Sequence, residues 1–294
     1  MKLLWYVRGK GVGGNVYTLY DTQKETCIGR CQLILDGESG FGLPEIDSSI
    51  EMKINEPGAR FLTSRLLPRK ITFDFKLHGQ YDNLMTARRT FANWFTPENP
   101  WPSAPYEGHL VRDLGSQRLT RCRCRSLPFE VIDTEVDEIR LKVELDAFDA
   151  LFADSEYEEE TVTATGVTMN DAFTLANTGE WFVQPDVWLY GPMTDPVIEN
   201  ETDGTKLEID GTINVGQTRK FVLDDDEKQF IDPTLFTDYM GLVTPDSDVE
   251  TFGLLSPPQT AAENGDNAMR ITAAATQNGV TAVKFRWHKR YLTA

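Results

Sequence analysis

Residues 185–222 read PDVWLYGPMTDPVIENETDGTKLEIDGTINVGQTRKFV, a series of short strands with turn residues between them and no helix-forming run. Val187 and Leu189 alternate with polar or amphipathic neighbours, as do Leu207 with Ile209 and Ile213 with Val215. Successive side chains of a strand point to opposite faces, so this period of two marks half-buried strands. Asp203-Gly204 and Asp210-Gly211 fall between the runs, and Asp-Gly supplies the positive φ that tight hairpin turns need. This part of the chain reads as a β-sandwich-like module. Such modules bind, stack or support more often than they catalyse, which points to assembly or binding.

At 294 residues the chain has room for two domains. No apolar run approaches the roughly 20 residues a membrane-spanning helix needs. The opening MKLLWYVRGKG carries too short an apolar stretch for a secretory signal, so the product is expected to fold in the cytoplasm where it is made. Net charge is −17, and its distribution tells more than its size. Residues 1–154 hold 20 lysines and arginines against 22 acidic residues, whereas the remainder holds 9 against 24. The two parts therefore carry −2 and −15, an asymmetry that argues for two units in different surroundings. The boundary falls at residues 150–165, where ADSEYEEETVTATG is acidic and poor in large aliphatics. The expected domains are 1–154 and 155–294. An acidic second half repels a phosphate backbone, which argues against a nucleic-acid reader, and it keeps an exposed domain soluble.

Within the first half, Ile71, Phe73, Phe75 and Leu77 alternate with Thr72, Asp74, Lys76 and His78, the pattern of a half-buried strand. Asp82 then stands as an N-cap before LMTARRTFANWF. Leu84, Ala87, Phe91 and Phe95 share one helical face, with Arg88, Arg89 and Asn93 turned away, and Pro97 ends the run. Strands resume at Arg118, with Thr120, Cys122, Cys124 and Ser126 on one face and Leu119, Arg121, Arg123 and Arg125 on the other. Ile139, Leu141, Val143, Leu145 and Ala147 form the cleanest alternation, and Glu144 and Asp146 on this strand are suited to face those arginines. In the second half, Val280, Ala282, Lys284 and Arg286 share one face of the last strand, and Val283, Phe285 and Trp287 share the other. Residues 240–266 read as a long irregular excursion with no predicted order.

The chemistry-bearing motifs are few. Gly9, Gly11 and Gly14 spell GxGxxG after an apolar run, with Asp36 downstream, as in a dinucleotide fold. That chemistry needs a helix opening at the third glycine. The residues that follow, NVYTLYD, favour a strand, so a glycine-rich hairpin is the simpler reading. No G-x-S-x-G or H-E-x-x-H occurs, and His78, His109 and His288 are scattered. Asp224-Asp225-Asp226-Glu227 lacks the spacing and glycine of a calcium loop. Cys27, Cys31, Cys122 and Cys124 lack the CxxC pairing of zinc sites and read as small buried thiols. No catalytic residue, metal or cofactor is expected. Arg121, Arg123 and Arg125 form a stripe of like charge that needs acidic groups opposite, within the fold or across a subunit interface. Trp181 and Trp188 are read as core residues or as a platform on which a sugar could stack.

Three segments in this order resemble the distal tail (Dit) proteins of long-tailed bacteriophages. PGARFLTSRLLPRKITFDFKLHGQYDNLMTARRTFANWF at 57–95 looks like the family's N-terminal belt domain, itself related to tail-tube proteins. RLTRCRCRSLPFE with EIRLKVELDAFDALFAD is similar to its paired strands and to the phrase that ends the belt. NTGEWFVQPDVWLYGPMTDPVIENETDGTKLEIDG at 177–211 resembles the start of its galectin-like C-terminal domain. The implied fold is mainly β with one helix: a tail-tube-like belt, then a galectin-like β-sandwich. The resemblance implies a structural virion protein at the tail tip, a homo-hexameric ring assembled in the host cytoplasm. Its partners would be the tail tube protein, the tail hub, and receptor-binding or side-fibre proteins carried by the C-terminal domain. The alternative from another class is a carbohydrate-binding module gripping a host glycan through Trp181 or Trp188.

Overall fold

The computed structural model describes residues 1–7, 15–52, 59–95, 108–113, 117–126, 129–133, 137–147, 149–223, 228–260 and 264–293. Its contacts divide the chain into one unit of residues 1–155 with 292–294, and a second of residues 156–291. Residues 292–294 thus return to the first unit, although the sequence reading assigns them to the second domain. The charge asymmetry is unchanged by this division, because residues 155 and 292–294 carry no charged side chain.

The first unit contains β1 (Lys2–Val7), β2 (Asn15–Asp21), β3 (Thr26–Ile28), β4 (Cys31–Ser39), β5 (Ile46–Met52), β6 (Ala59–Leu66) and β7 (Arg69–His78). Then come α1 (Tyr81–Phe95), β8 (Gly108–Asp113), β9 (Gln117–Ser126), β10 (Phe129–Asp133), β11 (Glu138–Ala147) and β12 (Phe152–Asp154). The main sheet has the order β2-β1-β8-β9-β11-β7-β4-β3, with β10 added on β11 and β12 on β9. Neighbours along this path pair antiparallel. The residues after the early glycines form β2, laid antiparallel on β1, where a dinucleotide fold would open a helix. Gly9, Gly11 and Gly14 themselves lie outside the described residues.

Strand β7 is the spine of this sheet, paired along its length with β11 on one side and β4 on the other. Its alternation buries Ile71, Phe73, Phe75 and Leu77 completely or nearly so. Each such side chain stabilises the fold by about 1.5–3 kcal/mol. Helix α1 lies against this core through Leu84, Ala87, Phe91 and Phe95, all buried. Phe91 meets Phe75 edge-on with ring centroids 5.4 Å apart, and Trp94 stacks on Tyr17 at 4.8 Å. The helix begins two residues earlier than an Asp82 cap requires. Leu84 N–H donates to the Gln80 carbonyl, and Asp82 sits inside the first turn, where its charge complements the helix dipole. Strands β5 and β6 form a separate two-stranded ribbon, with Asp47 opposite Arg65 and Glu51 opposite Arg60.

The second unit contains β13 (Glu158–Thr163), β14 (Met169–Ala176), β15 (Asp186–Tyr190), β16 (Met193–Asn200), β17 (Thr205–Glu208), β18 (Thr212–Ile213) and β19 (Thr218–Val222). It continues with β20 (Gln229–Ile231), a 3-10 turn (Met240–Leu242), β21 (Asp266–Ala274) and β22 (Ala282–Trp287). One five-stranded sheet runs β13-β22-β15-β19-β20; the other runs β14-β21-β16-β17, with β18 also on β16. Their inner faces share one core, built from Val187, Leu189, Phe221 and Phe285 of the first sheet and Ile198, Leu207, Met269 and Ile271 of the second. Phe173 and Phe285 meet across the layers at 5.3 Å. The unit is a β-sandwich.

Asp203-Gly204 makes the expected hairpin between β16 and β17: Gly204 has φ +77°, and the Asp203 carboxylate accepts from Thr205 N–H at 2.9 Å. Asp210-Gly211 does not reverse the chain. Strands β17 and β18 lie one after the other along the same neighbour, β16. Gly211 instead clamps a bulge in β16, donating to the Asp195 carboxylate while Asp195 N–H donates to the Gly211 carbonyl, both at 2.9 Å. Val215 is correspondingly 63% exposed, in a turn closed by Gln217 N–H on the Asn214 carbonyl. Residues 243–256 are not a free excursion. Val243 bridges Ile209 and Leu255 bridges Val183. The Asp248 carboxylate accepts from Lys206 N–H, and Phe252 and Leu255 are fully buried.

Candidate functional site

The arginine stripe lies on β9, between β8 and β11 in the main sheet. Register places Arg121 opposite His109 and Arg123 opposite Asp146. Glu144 faces Ser126 across a register shift and reaches Lys70 and Lys142, each at 3.5 Å. The pairing expected of Asp146 is thus present in the ladder, and that of Glu144 is displaced by the bulge. The side chains of Arg121, Arg123 and Arg125 lie outside the described residues. Thr120 and Cys122 on the same strand are buried.

The cysteines are not brought together. Cys27 and Cys31 sit on β3 and β4, and β11 and β7 separate them from Cys122 on β9. Three strand spacings come to about 14 Å along the sheet, against the roughly 2.3 Å bonds of a zinc thiolate site. Burial pushes the Cys122 thiol upward, and its Sγ–H donates to the Thr120 carbonyl. Among the described residues, no group of three or more His, Cys, Asp or Glu is placed to hold a metal ion.

Trp188 occupies the outer face of the sandwich, because its neighbours Val187 and Leu189 on β15 point into the core. Across the ladders it faces Lys220 of β19 and Lys284 of β22. Their ammonium groups lie 4.5 and 5.9 Å from its ring centroid. Each lysine has its own carboxylate: Lys220 on Asp186 and Lys284 on Glu159, both at 2.7 Å. The hydrogen bond from Lys284 holds the Glu159 carboxyl below its usual range, with Arg286 adding to the effect. Arg286 in turn covers the Tyr157 ring at 3.4 Å, and Tyr157 packs on His288. This face is a grid of cation–π and ion pairs. A sugar stacking on Trp188 would compete with Lys220 and Lys284 for the ring.

Trp181 lies elsewhere in the fold. Its backbone bridges Arg290, its carbonyl accepts from the buried Asn177 amide at 2.9 Å, and its ring meets Phe182 edge-on. No ring contact among the described residues joins Trp181 to Trp188.

The feature missed in the sequence is an apolar turn at 232–238. Leu235 and Phe236 are 71% and 78% exposed. The sequence signal was present: two adjacent large apolar residues, with Asp232-Pro233 before them and Asp238 after.

No protein-family model matches the chain, and no curated protein does. Among solved structures, the chain is similar to the crystal structure of SPP1 Dit (gp 19.1), a paradigm of the hub adsorption apparatus in Gram-positive infecting phages. The TM-score is 0.65 and the identity 10%, over 98% of each chain. Two structures of the phage P2 baseplate in its activated conformation, with Ca and with Sr, align at a TM-score of 0.46. Their identities are 10% and 9%; the alignments cover 100% of this chain and 100% and 99% of theirs. Over this length the chain has the fold of SPP1 Dit.

Proposed function

We propose that this protein is a structural component of a long-tailed bacteriophage virion, a distal tail protein with an assembly role and no catalytic one. The observation that carries the reading is the likeness to SPP1 Dit, which extends over nearly the whole of both chains and so spans both units in the same order.

In this reading six copies close into a ring at the tail tip. The first unit lines the conduit, between the tail tube above and the hub below. The second faces outward and carries receptor-binding or side-fibre proteins. Exposed strand edges favour such closure, because an edge that pairs with a neighbouring copy no longer invites open-ended association. The β5–β6 ribbon is the prime candidate: a two-stranded ribbon alone is marginal in water, and a neighbouring strand or surface would complete it. Arg121, Arg123 and Arg125 are proposed as a charged band at the subunit interface. The −15 charge of each second unit would keep assembled rings from sticking to one another.

Negative-stain micrographs of the purified full chain, alone and with the tail tube protein of the same phage, test this reading. Rings with a central hole are the expected result. Single particles of monomer size under both conditions would overturn it.

A further inference from the structure

The loop between β20 and the 3-10 turn reads Asp232-Pro233-Thr234-Leu235-Phe236-Thr237-Asp238. Ile231 bridges Asp238 at its base. Asp232 N–H donates to the Thr237 carbonyl at 3.0 Å, and Phe236 N–H to the Asp232 carbonyl at 2.8 Å. One Asp232 oxygen accepts from the N–H groups of Thr234 and Leu235, at 2.8 and 3.0 Å. The other lies 3.0 Å from the buried guanidinium of Arg219, which packs 3.9 Å over the Tyr239 ring. The turn is thus pinned to the sandwich from beneath, and what it holds up is Leu235 and Phe236. Phe236 has φ +54°, a backbone conformation that bulky residues avoid and that glycine adopts without strain. Its ring serves neither the core nor the turn.

We propose that Leu235 and Phe236 form a preorganised plug that seats in an apolar socket, rimmed by lysine or arginine, on a different protein of the tail. The proposal rests on the tail-tip reading above and names the chemistry of one outward contact. A fixed turn spares most of the ordering cost that a flexible loop would incur on binding. Aromatic anchors that fill pockets carry a large share of interface affinity. Charge selects the partner. The plug stands on a unit of net charge −15, with exposed Asp238 beside it. A second copy of that unit or an anionic lipid surface is repelled, while a basic rim is attracted.

The test uses particles assembled with the full chain carrying p-benzoylphenylalanine in place of Phe236. After irradiation, the expected product is a covalent adduct with a different virion protein, mapped to a segment where apolar residues are flanked by Lys or Arg. Phe236→Ser should weaken that association by about tenfold or more and leave the thermal midpoint of the purified chain unchanged. Added salt should weaken it further. An adduct only with a second copy of this chain, or with lipid, overturns the proposal. So does no adduct when the chain is present in the particle; the tail-tip reading then stands. Absence of the chain from the particle overturns both.

Discussion

The Arg69 guanidinium donates to the backbone carbonyl of Leu292, 223 residues further along the chain. The same side chain also donates to the carbonyls of Gly42 and Ala150 and packs 4.6 Å over the Phe152 ring. It is 5% exposed and holds three separate segments of the first unit together. Arg118 adds a second hold on the tail, through the Thr293 carbonyl at 2.5 Å.

Arg69→Ala should therefore cost more than a typical surface change. Three part-buried carbonyls lose a charged donor, at about 1.5–3 kcal/mol for each such bond. A loss of roughly 3–5 kcal/mol is expected in urea unfolding, allowing for water to reach the exposed end of the tail. Deleting residues 292–294 should cost less, because the Gly42 and Ala150 bonds survive. Equal losses in the two variants would contradict this assignment.

The apolar turn should be acid-sensitive. The N–H groups of Leu235 and Thr234, then Arg219, hold the Asp232 carboxyl below its ordinary range. A carboxyl with a depressed folded-state pKa contributes stability that is present above its unfolded value, about 3.9, and lost as pH falls through the folded one. Asp232→Asn keeps an acceptor but does not titrate. Urea midpoints of the two proteins should differ clearly at pH 7, and the gap should close as pH falls below the unfolded value. A gap that is unchanged across that range would exclude the carboxylate as its source.

Phe236→Gly should be neutral or stabilising in the isolated chain. Relief of left-handed strain is worth about 1–2 kcal/mol, set against about 0.5–1 kcal/mol for the extra freedom of glycine in the unfolded state. The exposed ring contributes little burial to offset either term. A fall in the thermal midpoint would mean that the ring is packed in solution and is not a plug.

Gly191→Ala tests the corner between β15 and β16. A β-carbon there would lie 2.3 Å from the Asn214 carbonyl oxygen and 2.5 Å from that of Ile213. Both contacts are backbone, so neither can rotate away. Overpacking of this kind costs about 1–3 kcal/mol, measurable as a lowered urea midpoint. A variant as stable as the parent would show that this turn relaxes freely.

Period and turn chemistry made much of the fold legible. The alternation through Ile71–Leu77 and Ile139–Ala147 marks two paired central strands of the main sheet, and the Leu84, Ala87, Phe91, Phe95 spacing marks the helix face. These signals are local, and local geometry decides them. What stayed hidden depends on partners far away in sequence. Residues 243–256 are ordered by bonds to Lys206, Glu208, Ile209 and Val183, which no window around them contains. Asp210-Gly211 carries a hairpin signal, but Asp195, on the neighbouring strand, turns it into a bulge clamp. Trp188 was legible as a strand residue, whereas its coverage by Lys220 and Lys284 depends on which strands flank β15. The Arg69 hold on Leu292 joins residues 223 apart in sequence and leaves no trace in either segment.

The proposed role requires repetition of this chain around an axis. Native mass spectrometry of the full chain, alone and with its tail tube protein, measures that directly. A closed ring of six 33.2 kDa chains predicts a species of about 199 kDa. A single 33.2 kDa species in both samples, at concentrations where tails assemble, would contradict it.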